Sequence, residues 1–171
     1  MTQFEYRLYS VDASYYGEKI RAYLQYKGIP FENVLATREV YRDVILPRVG
    51  WPVIPVIVTD DNETLQDTSD MIDYFESKYS KHSVIPTNPA LRFTSYLLEF
   101  LADEWIKLPA MHYRWCYNYD FMVQELGRNN DPDYPPEKQR QIGEKVAPQF
   151  SGWREKLGVN EMTIPIVEEN Y

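Results

Sequence analysis

Residues 51–58 read WPVIPVIV, an apolar run with Pro55 near its centre. Proline has no backbone N–H, so a trans proline inside a central strand deletes a ladder hydrogen bond. Two arrangements avoid that loss. The run can be an edge strand with its proline towards solvent. Alternatively, the strand can begin at a cis Ile54–Pro55 bond, whose turn leaves the N–H and C=O of Ile54 outside the sheet. An extended peptide could then pair with Ile54 as an added strand. TDDNE follows as a hairpin turn and ETLQ as the partner strand. QDTSD then opens a helix from about Thr68 to Tyr79, with Met71, Ile72 and Phe75 spaced to face the sheet.

Upstream, Phe4, Tyr6 and Leu8 alternate with Glu5, Arg7 and Tyr9, the period of a strand over residues 4–9. SVDASYYG is a loop by composition. From Gly17 the period becomes helical, with Tyr16, Ile20 and Leu24 on one face, until Gly28 and Ile29-Pro30 stop it. PFENVL reads as a second strand. Strand, helix and strand in succession make a right-handed parallel unit. Residues 37–48 are expected to be irregular or a short helix.

The resulting order, β-α-β-(α)-β-β-α, gives an α/β domain over residues 1–80. SKHSVIPTNPA is a linker over 81–90, broken by Pro86 and Pro89. The remainder, 91–171, reads as all-helical. Leu91, Leu98, Leu101, Trp105 and Leu108 keep a helical period that Pro109 should end or kink. Residues 117–136, with GRNNDPDYPP, read as a polar loop. The following helix should break near Pro148. A last short helix starts in NEMTIPIVEENY, with Thr163 as N-cap.

Composition excludes several functions. A net charge of −8 and a pI near 4.8 leave no basic face for nucleic acid or an anionic membrane. The longest apolar run, Val53–Val58, is too short to span a bilayer. MTQFEYRLYS has no apolar stretch of a signal peptide. Cys116 is the single cysteine, so no internal disulfide forms, and a cytoplasmic location is expected. His82 and His112 are too far apart in sequence for a metal motif, and no metal is expected.

Three groups of residues could carry chemistry. Asp67 at a helix start is an N-cap, with Asp70 completing a weak capping box. The same helix end, with Thr68, could hold a ligand carboxylate while Asp67 accepts from an ammonium. Ser14 lies near the start of the first helix, where a hydroxyl caps the helix or donates to an anion. Tyr9, Tyr15 and Tyr16 are further hydroxyls nearby. Lys19 and Arg21 read as solvated ion pairs, with Arg21 also suited to support the turn.

Together, YRLYSVDASYYGEKIRAYLQYKGIPFE and VIPVIVTDDNETLQDTSDMIDYFE resemble the N-terminal domain of the cytosolic glutathione transferase superfamily. The resemblance runs from residue 4 to about 79 and more loosely into NPALRFTSYLLEFLADEW. It implies a thioredoxin-like domain followed by a partial helical domain. Ile54-Pro55 matches the pair that binds the cysteinyl backbone of glutathione. Asp67 and Thr68 match the Glu-Ser pair that holds its γ-glutamyl end. Ser14 falls where serine-type members keep the hydroxyl that stabilises the thiolate. A tyrosine-type alignment gives that role to Tyr9, with one inserted residue.

Asp67 is shorter than the usual Glu, and Gly50-Trp51 replaces the usual approach to the cis proline. No cysteine precedes residue 116, which excludes cysteine-type chemistry. The implied function is binding of glutathione, as co-substrate, and addition of its thiolate to a small hydrophobic electrophile or a peroxide. The alternative is a non-catalytic module of the same fold. Trp105, His112, Tyr113, Trp115 and Tyr117 are either an apolar substrate wall or ordinary core and surface. Complete members of the superfamily extend further, so the Leu91–Leu108 stripe is expected to lack cover and to drive self-association into a homodimer.

Overall fold

The structure, a computed structural model, describes residues 4–171. Residues 1–3, part of the segment read for a leader, lie outside the described residues. The chain divides between Arg92 and Phe93 into two compact units.

The first unit runs β1 (Tyr6–Ser10), α1 (Tyr15–Lys27), β2 (Glu32–Leu35), α2 (Arg38–Val40), a π-helical turn (Tyr41–Ile45), α3 (Leu46–Val49), β3 (Val56–Thr59), β4 (Thr64–Gln66) and α4 (Thr68–Lys78). The sheet order is β2-β1-β3-β4. β1 and β2 are parallel, and the other two pairings are antiparallel. This is a thioredoxin-like sheet. Gly28 ends α1 at φ 67°, where its N–H reaches Gln25 and that of Ile29 reaches Leu24.

Alternation along β1 sorts the core. Tyr6 and Leu8 join Ile20, Leu24, Ile57, Met71 and Phe75 beneath α1 and α4. Tyr9 points the other way, into a cluster with Ala36, Ile45, Val56 and Val58. The ends of α1 and α4 are tied by a buried ion pair, Lys27 Nζ to Glu76 Oε1 at 2.8 Å. The same Glu76 oxygen accepts from Tyr23.

Residues 37–48, expected to be irregular or a short helix, are helical almost throughout, with the π turn inside. A second π turn, Leu101–Ile106, lies between α5 (Pro89–Phe100) and α6 (Lys107–Cys116). Each π turn shortly precedes a proline, Pro47 or Pro109. Proline crowds the preceding turn and withholds a donor, and a wider turn absorbs both defects. Pro109 therefore does not end the helix, which continues to Cys116.

The second unit continues with α7 (Tyr119–Asn130), α8 (Pro136–Ser151), α9 (Trp153–Lys156) and α10 (Ile164–Glu169). Most of the expected 117–136 loop is thus helix, and only residues 117–118 and 131–135 lie outside helices. Gly127 is a packing position here: an added Cβ would overlap the backbone of Gln139. Gly143 stands in the same relation to the Val123 carbonyl, so α7 and α8 pack backbone to backbone. Pro148 does not break α8, because it is exposed and the carbonyl it leaves unpaired can be hydrated. Among the described residues, no helix is long and apolar enough to cross a membrane.

Candidate functional site

Strand register gathers the candidate residues at one end of the sheet. Ser10, the last residue of β1, pairs with Leu35, the last of β2. Tyr9 pairs with Val56, the first residue of β3, and Val56 pairs with Gln66, the last of β4. The segments that leave or enter the sheet at this end carry Ser14, Ile54-Pro55 and Asp67-Thr68.

The Ile54–Pro55 peptide is cis, and Pro55 is buried. The β3 ladder begins at Val56, so Ile54 stands just outside it, half-buried. Among the described residues, no hydrogen bond engages the backbone of Ile54.

Asp67 takes φ 73° and caps α4, its carboxylate accepting from Ser69 N–H at 2.9 Å. That is the second helical residue rather than the third, and no return bond from Asp70 is present among the described residues. The capping box is therefore replaced by a single cap. The Asp67 side chain is exposed, whereas Thr68 is buried beside it. Both are at the positive end of α4.

Ser14 is the N-cap of α1 and half-buried. Its hydroxyl oxygen accepts from Gly17 N–H at 3.0 Å. Accepting that bond leaves the hydroxyl proton to donate elsewhere. The loop before it is clamped by Arg21, which lies 3.6 Å from Asp12, pairs with Glu18, and donates to Asn33 at 3.3 Å. The Arg21 side chain is only 14% exposed, whereas Asp12 and Glu18 are 68% and 52% exposed, so a largely buried guanidinium supports the turn through pairs whose acidic ends remain open to solvent. Lys19 reaches the other capped helix, donating to Ser69 Oγ at 3.3 Å.

Tyr9 differs from Ser14 in its burial, and Ile54 packs against the cluster that contains it. Tyr9 is 7% exposed and packs with Val56 on the sheet face opposite α1. The five aromatic candidates of the helical unit do not form one wall. His112 packs with Tyr113 and Tyr117, Trp115 meets Tyr119, and Trp105 is 56% exposed.

Sequence reasoning passed over Ser10 and Gly17. Ser10 is 1% exposed and lies directly against Gly17, where a Cβ would overlap its hydroxyl. The available signal was a glycine in the first turn of a helix, a residue that costs helix stability unless space demands it.

Residues 8–83 match the family model for the glutathione S-transferase N-terminal domain. The chain has the glutathione S-transferase fold. Similar solved structures include a glutathione S-transferase from Methylobacterium radiotolerans in complex with glutathione sulfonate. That match has 21% identity and a TM-score of 0.55, covering 83% of this chain and 64% of the other. A glutathione S-transferase from Methylobacillus flagellatus, with GSH bound, matches at 18% identity and TM-score 0.54, over 84% and 69% of the two chains. The beta-etherase LigF from Sphingobium sp. strain SYK-6 matches at 17% identity and TM-score 0.59, over 90% and 69%. The chain thus spans just under two thirds of the length of the first of these. None of the curated proteins matches it.

Proposed function

We propose that this glutathione S-transferase-fold protein binds glutathione at the shared end of its sheet and adds the thiolate to an electrophilic or peroxide substrate. The carrying observation is the strand register that brings Ser14, Ile54-Pro55 and Asp67-Thr68 together. The glutathione-bound neighbours support the choice of ligand.

In this reading the cysteinyl backbone of glutathione pairs with Ile54 as a short added strand. The γ-glutamyl carboxylate meets the N–H groups at the start of α4 and the Thr68 hydroxyl, and its ammonium meets Asp67. Ser14 donates its hydroxyl proton to the sulfur, favouring thiolate over thiol, and the displaced thiol proton goes to solvent. The sulfur then forms a bond to the electrophilic carbon as the leaving group departs with its electron pair. We assign the role to Ser14 rather than Tyr9 because Tyr9 is only 7% exposed within the cluster of Ala36, Ile45, Val56 and Val58, whereas Ser14 is half-buried at the start of α1.

Residues 1–80 would form the glutathione-binding domain and 91–171 the helical domain. Self-association as a homodimer is assigned to α5, where Leu91, Phe93, Leu97, Leu98 and Phe100 are each more than half exposed. The acidic charge and single cysteine support a cytoplasmic, detoxifying role without nucleic-acid or membrane partners.

A non-catalytic binding module is the second reading. It is favoured by the Gly17–Ser14 bond, because a pure N-cap makes the same contact. Retention on glutathione resin together with turnover of a generic electrophile separates the two. Retention without turnover identifies the module, and loss of both overturns the glutathione reading.

A further inference from the structure

The helical unit contains a cleft of about 170 Å³, walled by the second π turn, α6, α10 and the segment before α10. Val159, fully buried, contributes to its inner wall, and Trp105 and Ile166, each more than half exposed, contribute to its open side. Leu108, Pro109 and Val167 complete the apolar lining.

We propose that this cleft binds one small, uncharged, apolar molecule the size of a single aromatic ring. Its volume is that of a pocket for one ring, since an apolar protein cavity of about 150 Å³ takes up benzene. Its chemistry follows from the hydrogen bonds of its polar members. The Thr163 hydroxyl donates to the Gly158 carbonyl at 2.6 Å and accepts from Asn160 N–H at 3.0 Å. The Asn170 amide donates to the Ile166 carbonyl at 2.7 Å.

No lining residue carries a charge. Neither acid of α10, Glu168 or Glu169, lines the cleft, and Glu168 is held by His112 and Tyr117, each at 2.7 Å. A charged ligand would lose its hydration and find no counter-charge in the wall. An apolar ring gives up no polar hydration on entry and gains contact with Leu108, Val159 and Val167. The lining also holds no thiol and no titratable side chain, so the molecule is retained rather than transformed. Trp105 can stack against an aromatic guest. None of the residues proposed to hold glutathione belongs to this cleft, so the inference stands apart from the transferase reading.

The test is titration of the full chain with toluene, benzoate and naphthalene, without glutathione. Methyl NMR and thermal melting are the readouts. Toluene should saturate, raise the melting temperature, and shift the methyl signals of Leu108, Val159, Ile166 and Val167. Benzoate and naphthalene should do none of these. Val167→Phe, which fills the cleft, should abolish saturation by toluene. Leu108→Ala, which enlarges it, should admit naphthalene and serves independently of how well the filled variant folds. Absence of saturation by toluene, shifts scattered over the surface, or equal response to benzoate would each overturn the proposal.

Discussion

Gly17 lies so close to Ser10 that a methyl group in its place would overlap the serine hydroxyl. The same methyl group would come within 2.9 Å of Ser14 Oγ, to which Gly17 N–H already donates. The end of β1, the cap of α1 and the proposed thiolate donor therefore share one crowded corner.

Gly17→Ala should displace that corner although alanine favours helix. Overpacking of this kind costs about 1–3 kcal/mol. The denaturation midpoint should fall, and turnover with glutathione should fall further than stability explains. An unchanged midpoint would mean that the corner yields freely.

Asp67 is an observed cap and a proposed ligand contact, which substitution can separate. Asp67→Asn keeps an oxygen to accept from Ser69 N–H and removes the charge offered to an ammonium. Its stability should stay within a few tenths of a kcal/mol of wild type while glutathione affinity falls about tenfold, by calorimetry. Asp67→Ala should lose the cap as well, costing about 1 kcal/mol. Equal glutathione affinity in wild type and Asp67→Asn would leave only the cap.

The Lys27–Glu76 pair makes stability depend on acid. Burial pushes the Glu76 carboxyl up, but hydrogen bonds from Lys27, Ser83, Tyr23 and Val84 N–H outweigh it and hold the group at about 2, below its usual 4.5. A depressed folded-state value stabilises the protein above the unfolded value. That contribution, up to about 3 kcal/mol, fades as pH falls from 4.5 through 2. Glu76→Gln should flatten the stability profile over this window. Lys27→Met removes the counter-charge of a largely buried carboxylate that keeps its bonds from Tyr23, Ser83 and Val84 N–H, and should lower neutral-pH stability by up to about 3 kcal/mol in denaturant unfolding.

Much of the first unit was legible because its signals are local. Alternation in β1 and the stop at Gly28 follow from chain geometry, and Pro55 could only begin a strand or lie at an edge. The helical unit was harder, since its helices override local signals through packing. GRNN looks like a loop until Gly127 is seen to admit the α8 backbone. Pro109 looks like a terminator until the preceding π turn takes up its misfit. At the site, Ser14, Asp67 and Thr68 could be named from spacing. The burial of Tyr9 on the far face, and the contact of Ser10 with Gly17, depend on register and close packing that no single segment encodes.

Gly127→Ala and Gly143→Ala test that packing. Each would drive a methyl group into the backbone of the facing helix, and each should destabilise the helical unit by about 1–3 kcal/mol or more. Hydrogen exchange should accelerate in α7 and α8 while the amides of β1 and β3 keep their protection. Uniform acceleration across both units would mean that they unfold together.

The account turns on the Ser14 hydroxyl donating to a bound thiolate. The most direct measurement is the thiol pKa of glutathione bound to wild type, Ser14→Ala and Tyr9→Phe, by ultraviolet titration of the thiolate. Ser14→Ala should raise that pKa and slow conjugation at neutral pH on the order of 100-fold, while Tyr9→Phe leaves the thiol pKa unchanged. A raised pKa in Tyr9→Phe, with Ser14→Ala titrating as wild type, would contradict the account.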